Sequence, residues 1–255
     1  MKLSFCVPCM NRFHHLEQTI GRTLRTLWHG GHEFELVILN YMGRDGLGAW
    51  IRAAGRTLIE SGGITYFEVL EPSDQHYRFA HAKNVAHRLA TGDVMCSLDA
   101  DNVLTSAYLD ELVRAFAPGG PVFLHTAFEH SAGGRIAFRR DDFFRLGGYD
   151  EDLTYCEDLD AHGRAVRFGL VPRAVAPSSV EFVRHTDDER VRFLRRTASP
   201  GTETLSATRR IRRLIVANKA QSARNIAEGR LVANAGRPWG TAIVRKNLSE
   251  LIELR

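Results

Sequence analysis

Val94-Met95-Cys96-Ser97-Leu98-Asp99-Ala100-Asp101-Asn102-Val103-Leu104 is the stretch on which the fold turns. A short apolar run, bounded upstream by Thr91-Gly92-Asp93, predicts a buried strand. At its end two carboxylates, Asp99 and Asp101, are separated by one small residue. Side chains alternate along a strand, so both can approach one cation where the strand stops. Oxygen ligands of this kind suit Mg²⁺ or Mn²⁺, ions that share their shell with phosphate oxygens. The same residues also serve as a polar turn after a strand, so the flanks must decide between the two uses.

Upstream, Leu3–Val7 predicts a first strand and Pro8-Cys9-Met10-Asn11-Arg12 the loop that leaves it. Leu16, Ile20, Leu24 and Leu27 recur at helical spacing until Gly30-Gly31 stops them. A second strand over Phe34–Leu39 ends at Asn40-Tyr41, and a glycine-marked loop leads to a helix over about 49–61. A third strand spans Ile64–Val69, and a helix runs from about Ala80 to Ala90 into the central strand. This alternation implies a mostly parallel sheet flanked by helices, with ligands beyond the carboxyl ends of its strands.

Downstream, a helix is expected through Phe116, strands at 121–127 and 133–138, and a short helix from Asp141 to Leu146. Glu157-Asp158-Leu159-Asp160 opens another helix, where acidic residues also suit the helix dipole. A late strand at 180–183 leads into Arg184-His185, and helices are expected at about 188–196, 205–228 and 241–254.

With 44% hydrophobic and 25% charged residues over 255 positions, the chain is a globular protein with a full core rather than a disordered one. Its net charge of +4 conceals an asymmetry: residues 190–255 carry 15 Lys and Arg against 4 Asp and Glu, so the remainder is acidic. Four cysteines are too few and too scattered for a disulfide framework. Cys6-Val7-Pro8-Cys9 lies in a strand and its exit with no second pair, which favours buried cysteines over a redox or zinc site. No apolar run reaches membrane-spanning length and no signal-peptide core precedes Pro8, so a cytoplasmic protein is expected.

In this order the signals resemble family-2-like glycosyltransferases of the GT-A fold over roughly residues 3–186. The resemblance rests on Val7-Pro8-Cys9-Met10-Asn11-Arg12, on Ala82-Lys83-Asn84, on Ala90-Thr91-Gly92-Asp93 and on Leu98-Asp99-Ala100-Asp101. It continues through Gly134, Phe143–Glu151 and Glu157-Asp158-Leu159-Asp160. The second half is also similar to the galactosyl- and N-acetylgalactosaminyltransferase branch, with its late Arg184-His185. The resemblance implies an α/β GT-A (Rossmann-like) domain over 1–186 followed by a basic helical extension over 187–255.

It also implies a metal-dependent, inverting enzyme that moves a hexosyl or N-acetylhexosaminyl group from a nucleotide-diphospho-sugar, UDP-linked by expectation, to an acceptor hydroxyl. Asp99, Asp101 and His185 would hold Mn²⁺ or Mg²⁺. Pro8, Asn11, Arg12, Asn40, Lys83, Asn84, Asp99 and Gly134 would line the donor. Asp158 would be the base and Glu157 would orient it or the acceptor. Asn40-Tyr41 departs from the family, which commonly carries two aspartates there, the first of them helping to hold the base. An asparagine amide both donates and accepts.

The acceptor that the resemblance implies is left open among a glycan, a lipid-linked molecule and a small molecule. Rival readings are a non-catalytic nucleotide- or sugar-binding protein on a degenerate transferase scaffold, and a nucleotidyltransferase. The latter would want a glycine-rich basic loop near the N-terminus, which Pro8-Cys9-Met10-Asn11 is not. The block Arg209-Arg210-Ile211-Arg212-Arg213 interleaves charge with apolar residues, as does a helix packed on the domain with a solvated basic face. It also suits peripheral contact with an anionic membrane or a phosphorylated acceptor. With few aromatic residues in this tail, nucleic acid is not an expected partner.

Overall fold

The structure, a computed structural model, describes residues 1–70, 77–126, 135–184 and 204–255. At its centre lie four parallel strands, β1 (Leu3–Cys9), β2 (Phe34–Asn40), β3 (Thr65–Val69) and β4 (Val94–Ser97). The helix α1 (Phe13–Gly30) links β1 to β2. From β2 the chain reaches β3 through α2 (Leu47–Trp50), a π turn (Ile51–Gly55) and α3 (Arg56–Glu60). Then α4 (Phe79–Leu89) returns it to β4. The remaining elements are β5 (Asn102–Val103), α5 (Ser106–Phe116), β6 (Val122–His125), β7 (Ile136–Arg139), α6 (Arg140–Arg145), α7 (Glu157–Arg167), β8 (Val171–Ala174) and β9 (Glu181–Phe182). They are followed by α8 (Thr204–Ala227), β10 (Ala242–Lys246) and β11 (Glu250–Leu254). Among the described residues the main sheet runs β11-β10-β3-β2-β1-β4-β7-β6-β8, while β5 and β9 pair separately.

Both faces of the central strands are covered, so their side chains sort by parity into two cores. Leu3, Phe5, Val7 and Cys9 of β1 pack with Leu16, Ile20, Leu24 and Leu27 of α1 and Leu109 and Leu112 of α5. Cys6 faces the other way, with Val37, Leu39, Met95 and the α4 residues Ala82, Val85 and Ala86. Cys6 and Cys9 therefore lie on opposite faces and cannot share a ligand. Burial pushes both thiols up, Cys9 to about 12, which makes them inert.

Strand order reverses between β1 and β4, since the chain winds outward through β2 and β3 and then crosses back. Such a reversal opens a crevice at the carboxyl ends of the two strands. Here β1 pairs with β4 only from Leu3–Val94 to Cys6–Ser97, but continues with β2 as far as Cys9–Asn40. The sequence places Pro8 in the exit loop, yet it is still strand. Cys6 and Pro8 face the β4 side, as the Leu98 N–H donated to Cys6 O shows. The N–H that Pro8 lacks would point where β4 has already left, so no ladder bond is lost.

The last expected helix, over 241–254, is instead a hairpin. β10 pairs antiparallel with β3 and β11 with β10. The apolar residues of this segment fit a helical stripe, but Val244 is buried while Ile243 and Leu251 are exposed, which is strand alternation. Asn247 and Leu248 both take left-handed backbone at the turn, as tight hairpins require. The expected helix at 205–228 is present as α8, and the one at 188–196 lies outside the described residues. The exposed edge strand β8, with Pro172 inside it, carried no alternation to predict it. No helix among the described residues is long and apolar enough to cross a membrane.

Gly147 fixes how the tail closes on this frame. It has φ +70°, Ala233 N–H donates to Leu146 O, and a Cβ at 147 would lie 2.0 Å from Ala233 O. Gly119 has φ +79° but nothing within 4 Å. In urea titrations, Gly119→Ala is expected to cost about 1 kcal/mol for its backbone conformation alone. Gly147→Ala is expected to cost at least about 3 kcal/mol, because the backbone of residue 233 must also move. Equal costs would show that the tail does not press on this turn.

Candidate active site

The crevice is closed at the β4 side by a turn in which Asn102 N–H donates to Asp99 O and Thr19 Oγ1 donates to Ala100 O. Asp99 and Asp101 leave this turn, Asp99 half-buried. Burial raises the Asp99 pKa, Lys83 opposes the rise, and the Asp101 and Glu157 carboxylates add to it. Asp101 is aimed by a relay. Its Oδ1 accepts from Asn102 Nδ2 at 2.5 Å, and Asn102 Oδ1 accepts from Arg135 Nε at 2.5 Å. Arg135 is fully buried over the Tyr108 ring and donates from Nη2 to Glu181 O. Sequence reasoning missed Arg135; its signal was a charged residue opening the apolar run Ile136-Ala137-Phe138.

Lys83 joins this corner to α7. Its Nζ donates to Glu157 Oε1 at 2.8 Å and lies 2.7 Å from both carboxylate oxygens of Asp158. It also sits 5.3 Å from the centre of the Tyr149 ring. Burial works against the Lys83 charge, but Asp158, Glu157 and Asp99 outweigh it and hold its pKa well above the ordinary value. One ammonium thus faces three carboxylates. Burial and repulsion from Glu157 and Asp99 push Asp158 well above the carboxylate range, although Lys83 pulls the other way. The side chains of Lys83, Glu157 and Asp158 are 3%, 7% and 18% exposed, so Asp158 is the one with most access to solvent.

The sequence-selected residues separate into groups. Asp99, Lys83, Glu157 and Asp158 share one electrostatic cluster, with Asp101 beside Asp99. Asn84 is turned away: it donates to Tyr149 O and Glu151 Oε1 and accepts from Tyr149 N, so it holds the turn ahead of α7. Asn40 is likewise buried in the frame, donating to the Tyr66 hydroxyl at 3.0 Å and accepting from Gly43 N at 2.9 Å. Asn11, in left-handed backbone, accepts from Arg44 N, and Asp45 accepts from Phe13 N at the start of α1. These bonds clamp the loops after β1 and β2 to one another, with Pro8 buried beneath and Arg12 heading α1 against His15. Gly134 and His185 lie outside the described residues. Asp160 points into the protein, paired with Arg164 at 2.6 Å and accepting from Ser222 at 2.6 Å.

Among the described residues no group of three or more His, Cys, Asp and Glu is arranged to hold a metal ion. Asp99 and Asp101 leave one turn, and the Asp101 charge adds to the burial that raises Asp99.

The sequence profile of Glycosyl transferase family 2 matches residues 4–177, which takes in nearly all of β1 and everything from there to β8, including Lys83, Asp99, Asp101, Glu157 and Asp158. The chain belongs to that family. Solved structures agree on the fold. The S. aureus TarS 1-349 structure in complex with UDP is 15% identical, with TM-score 0.55 over 81% of this chain and 68% of that one. Its complex with UDP-GlcNAc is 15% identical, with TM-score 0.56 over 77% and 64%. A Drosophila β1,4-galactosyltransferase 7 mutant in complex with manganese, UDP-Gal and xylobiose is 18% identical, with TM-score 0.51 over 74% and 73%. At these identities the likeness shows the GT-A fold and nothing finer. No curated protein matches the chain.

Beneath Lys83, His87 donates from Nδ1 to Lys83 O and stacks on Phe143. Its Nε2 is buried without a hydrogen-bond partner, and burial lowers its pKa to about 4. A histidine of the unfolded chain titrates near 6.5, so only the unfolded state gains a proton between those values. Stability is therefore lost as pH falls through that window. From pH 7 to pH 4.5 the loss from this residue is about 2 kcal/mol. Urea titrations of wild type and His87→Leu at both pH values should differ by that amount in their pH dependence. Identical dependence would mean that His87 is protonated in the fold.

Proposed function

We propose that the protein is a metal-dependent, inverting glycosyltransferase that passes a sugar from a UDP-sugar to an acceptor hydroxyl. The observation that carries the proposal is the Lys83-centred cluster at the mouth of the β1–β4 crevice. A base for an acceptor hydroxyl must hold a proton well while staying reachable, and Asp158 combines raised proton affinity with the greater exposure. It would accept the proton as the hydroxyl oxygen attacks the sugar. Lys83 keeps Asp158 and Glu157 side by side, leaving Glu157 to orient the acceptor.

Asp99 and Asp101 would hold Mn²⁺ or Mg²⁺, with His185 the third ligand, and the bound ion would neutralise the departing diphosphate. The Asn102–Arg135 relay keeps Asp101 in place. Pro8, Asn11 and Arg12 would flank the nucleotide, with Gly134 beside the sugar. The UDP, UDP-GlcNAc and UDP-Gal seen with structures of like fold support a UDP-linked hexose or N-acetylhexosamine as donor. Asn40 and Asn84 would act through the loops they hold rather than by touching the donor. The acceptor side is the α7 end, and the basic tail beyond residue 187 adds to it.

Calorimetric titration of UDP and GDP with Mn²⁺, with and without EDTA, tests the donor site. UDP should bind in a metal-dependent way, and Asp101→Ala should weaken it at least about tenfold, the scale of one lost charge-assisted contact. Asp158→Asn should keep UDP binding but lower turnover of UDP-Gal or UDP-GlcNAc by about a hundred- to ten-thousand-fold. Absence of metal-dependent binding of either nucleotide would sink the proposal. Tighter GDP than UDP binding would reassign the donor.

A further inference from the structure

α8 runs beside α7 and in the same direction. Ile215 O faces Cys156 Sγ at 3.9 Å, Asn218 Oδ1 accepts from Tyr155 N at 2.9 Å, and Ser222 Oγ donates to Asp160 Oδ1 at 2.6 Å. Farther along, a Cβ on Gly163 would lie 2.7 Å from Ile226 Cδ1. Followed backwards, this register carries the part of α8 before Ile215 past the N-terminal end of α7. That is the end bearing Glu157 and Asp158. Arg209, Arg210, Arg212 and Arg213 occupy the overhang, about 3 to 9 Å along the axis beyond Ile215 at the helical rise.

All four arginines are exposed, while Ile211 among them is buried and pins the helix. None of the four has an ion pair or hydrogen bond among the described residues. Five other basic residues of the tail are matched: Arg230 with Glu228, Arg237 with Asp152, Arg245 with Glu68, Lys246 with Glu250 and Arg255 with Glu253. Like charges at helical neighbours such as Arg209 and Arg213 repel, so the cluster costs helix stability and gains nothing from the fold. Lys219 extends it toward the site: burial and Glu157 push the Cys156 thiol up, and the Lys219 ammonium opposes them from nearby.

We propose that this arginine face is an anion subsite continuous with the acceptor side of the α7 carboxylates, and that the acceptor carries phosphate groups. The inference rests on α7 being the acceptor side. Guanidinium groups match phosphate oxygens in pairs, and an exposed helix face presents them to an extended chain. A membrane surface fits less well, because Ile211, Leu214 and Ile215 are turned wholly or partly into the protein, and from residue 209 onward Val216 alone among the large apolar residues of α8 is exposed.

Labelled short-chain polyphosphate is the probe, added to the full chain. Three proteins are compared: wild type, a variant with Arg209→Gln, Arg210→Gln, Arg212→Gln and Arg213→Gln, and a control with Arg25→Gln, Arg114→Gln, Arg167→Gln and Arg173→Gln. Cys156 is the one cysteine of the four that is not buried, so its alkylation rate reports occupancy beside Glu157. Wild type and control should bind polyphosphate, more weakly as salt rises, and the α8 variant at least about tenfold more weakly. Bound polyphosphate should slow Cys156 alkylation in wild type and not in the α8 variant.

Equal binding by the α8 variant overturns the proposal. So does arginine-dependent binding to phosphatidylglycerol vesicles without binding to polyphosphate, or tight binding that leaves Cys156 alkylation unchanged. UDP binding with Mn²⁺ is measured on the same three proteins. Its loss in all of them would remove the donor assignment, while the polyphosphate comparison would still decide the subsite.

Discussion

A single buried ammonium holds the working corner of this protein together. Lys83 comes from α4, under the sheet, and its Nζ reaches two carboxylates at the start of α7. Burying a lysine is costly unless its charge is met, and burying Glu157 is costly for the same reason. Each makes the other tolerable, and the surplus of negative charge falls on Asp158 and Asp99, the two with a path to solvent. An electrostatic imbalance that would be a defect in a core becomes a source of proton affinity at a crevice.

Around that corner the fold spends its polar side chains on geometry. Asn84 fixes the turn before α7, Asn102 and Arg135 fix Asp101, and Asp160 with Arg164 fixes α7 from behind. Arg164 also donates to Leu146 O and Gly148 O, so the turn around Gly147 and the helix that carries Asp158 are one rigid piece. Tyr41 and His81 extend the frame into the tail. The Thr241 carbonyl can only accept, so His81 donates to it from Nε2, and Nδ1 is left to accept from the Tyr41 hydroxyl.

Much of this was legible beforehand, and the exceptions have physical causes. Strands β1 to β4 announced themselves because burial on both faces demands short, continuous apolar runs. Asp99, Asp101, Glu157 and Asp158 stand out in the sequence as carboxylates at strand and helix ends, and the structure gathers Asp99, Glu157 and Asp158 around Lys83. Lys83 could be selected but not paired, since its partners lie 74 and 75 residues away. The bonds that Asn40 makes to Tyr66 and Gly43 and Asn84 to Tyr149 were not legible, because an amide on a loop and an amide inside a frame are spelled alike. The hairpin at 242–254 was mistaken for a helix because five-residue strands fit either period, and only pairing with β3 chooses between them.

That pairing also governs how the sheet is assembled. The β3 edge at residues 65–69 is covered by residues 242–246, so during synthesis it must wait until that distant segment has been made. An unpaired apolar edge invites strand exchange with other molecules, and closing so long a loop is slow. Glu68, at this edge, is met at last by Arg245. Until then its charge discourages mispairing, making it a gatekeeper during the nascent chain's most vulnerable interval.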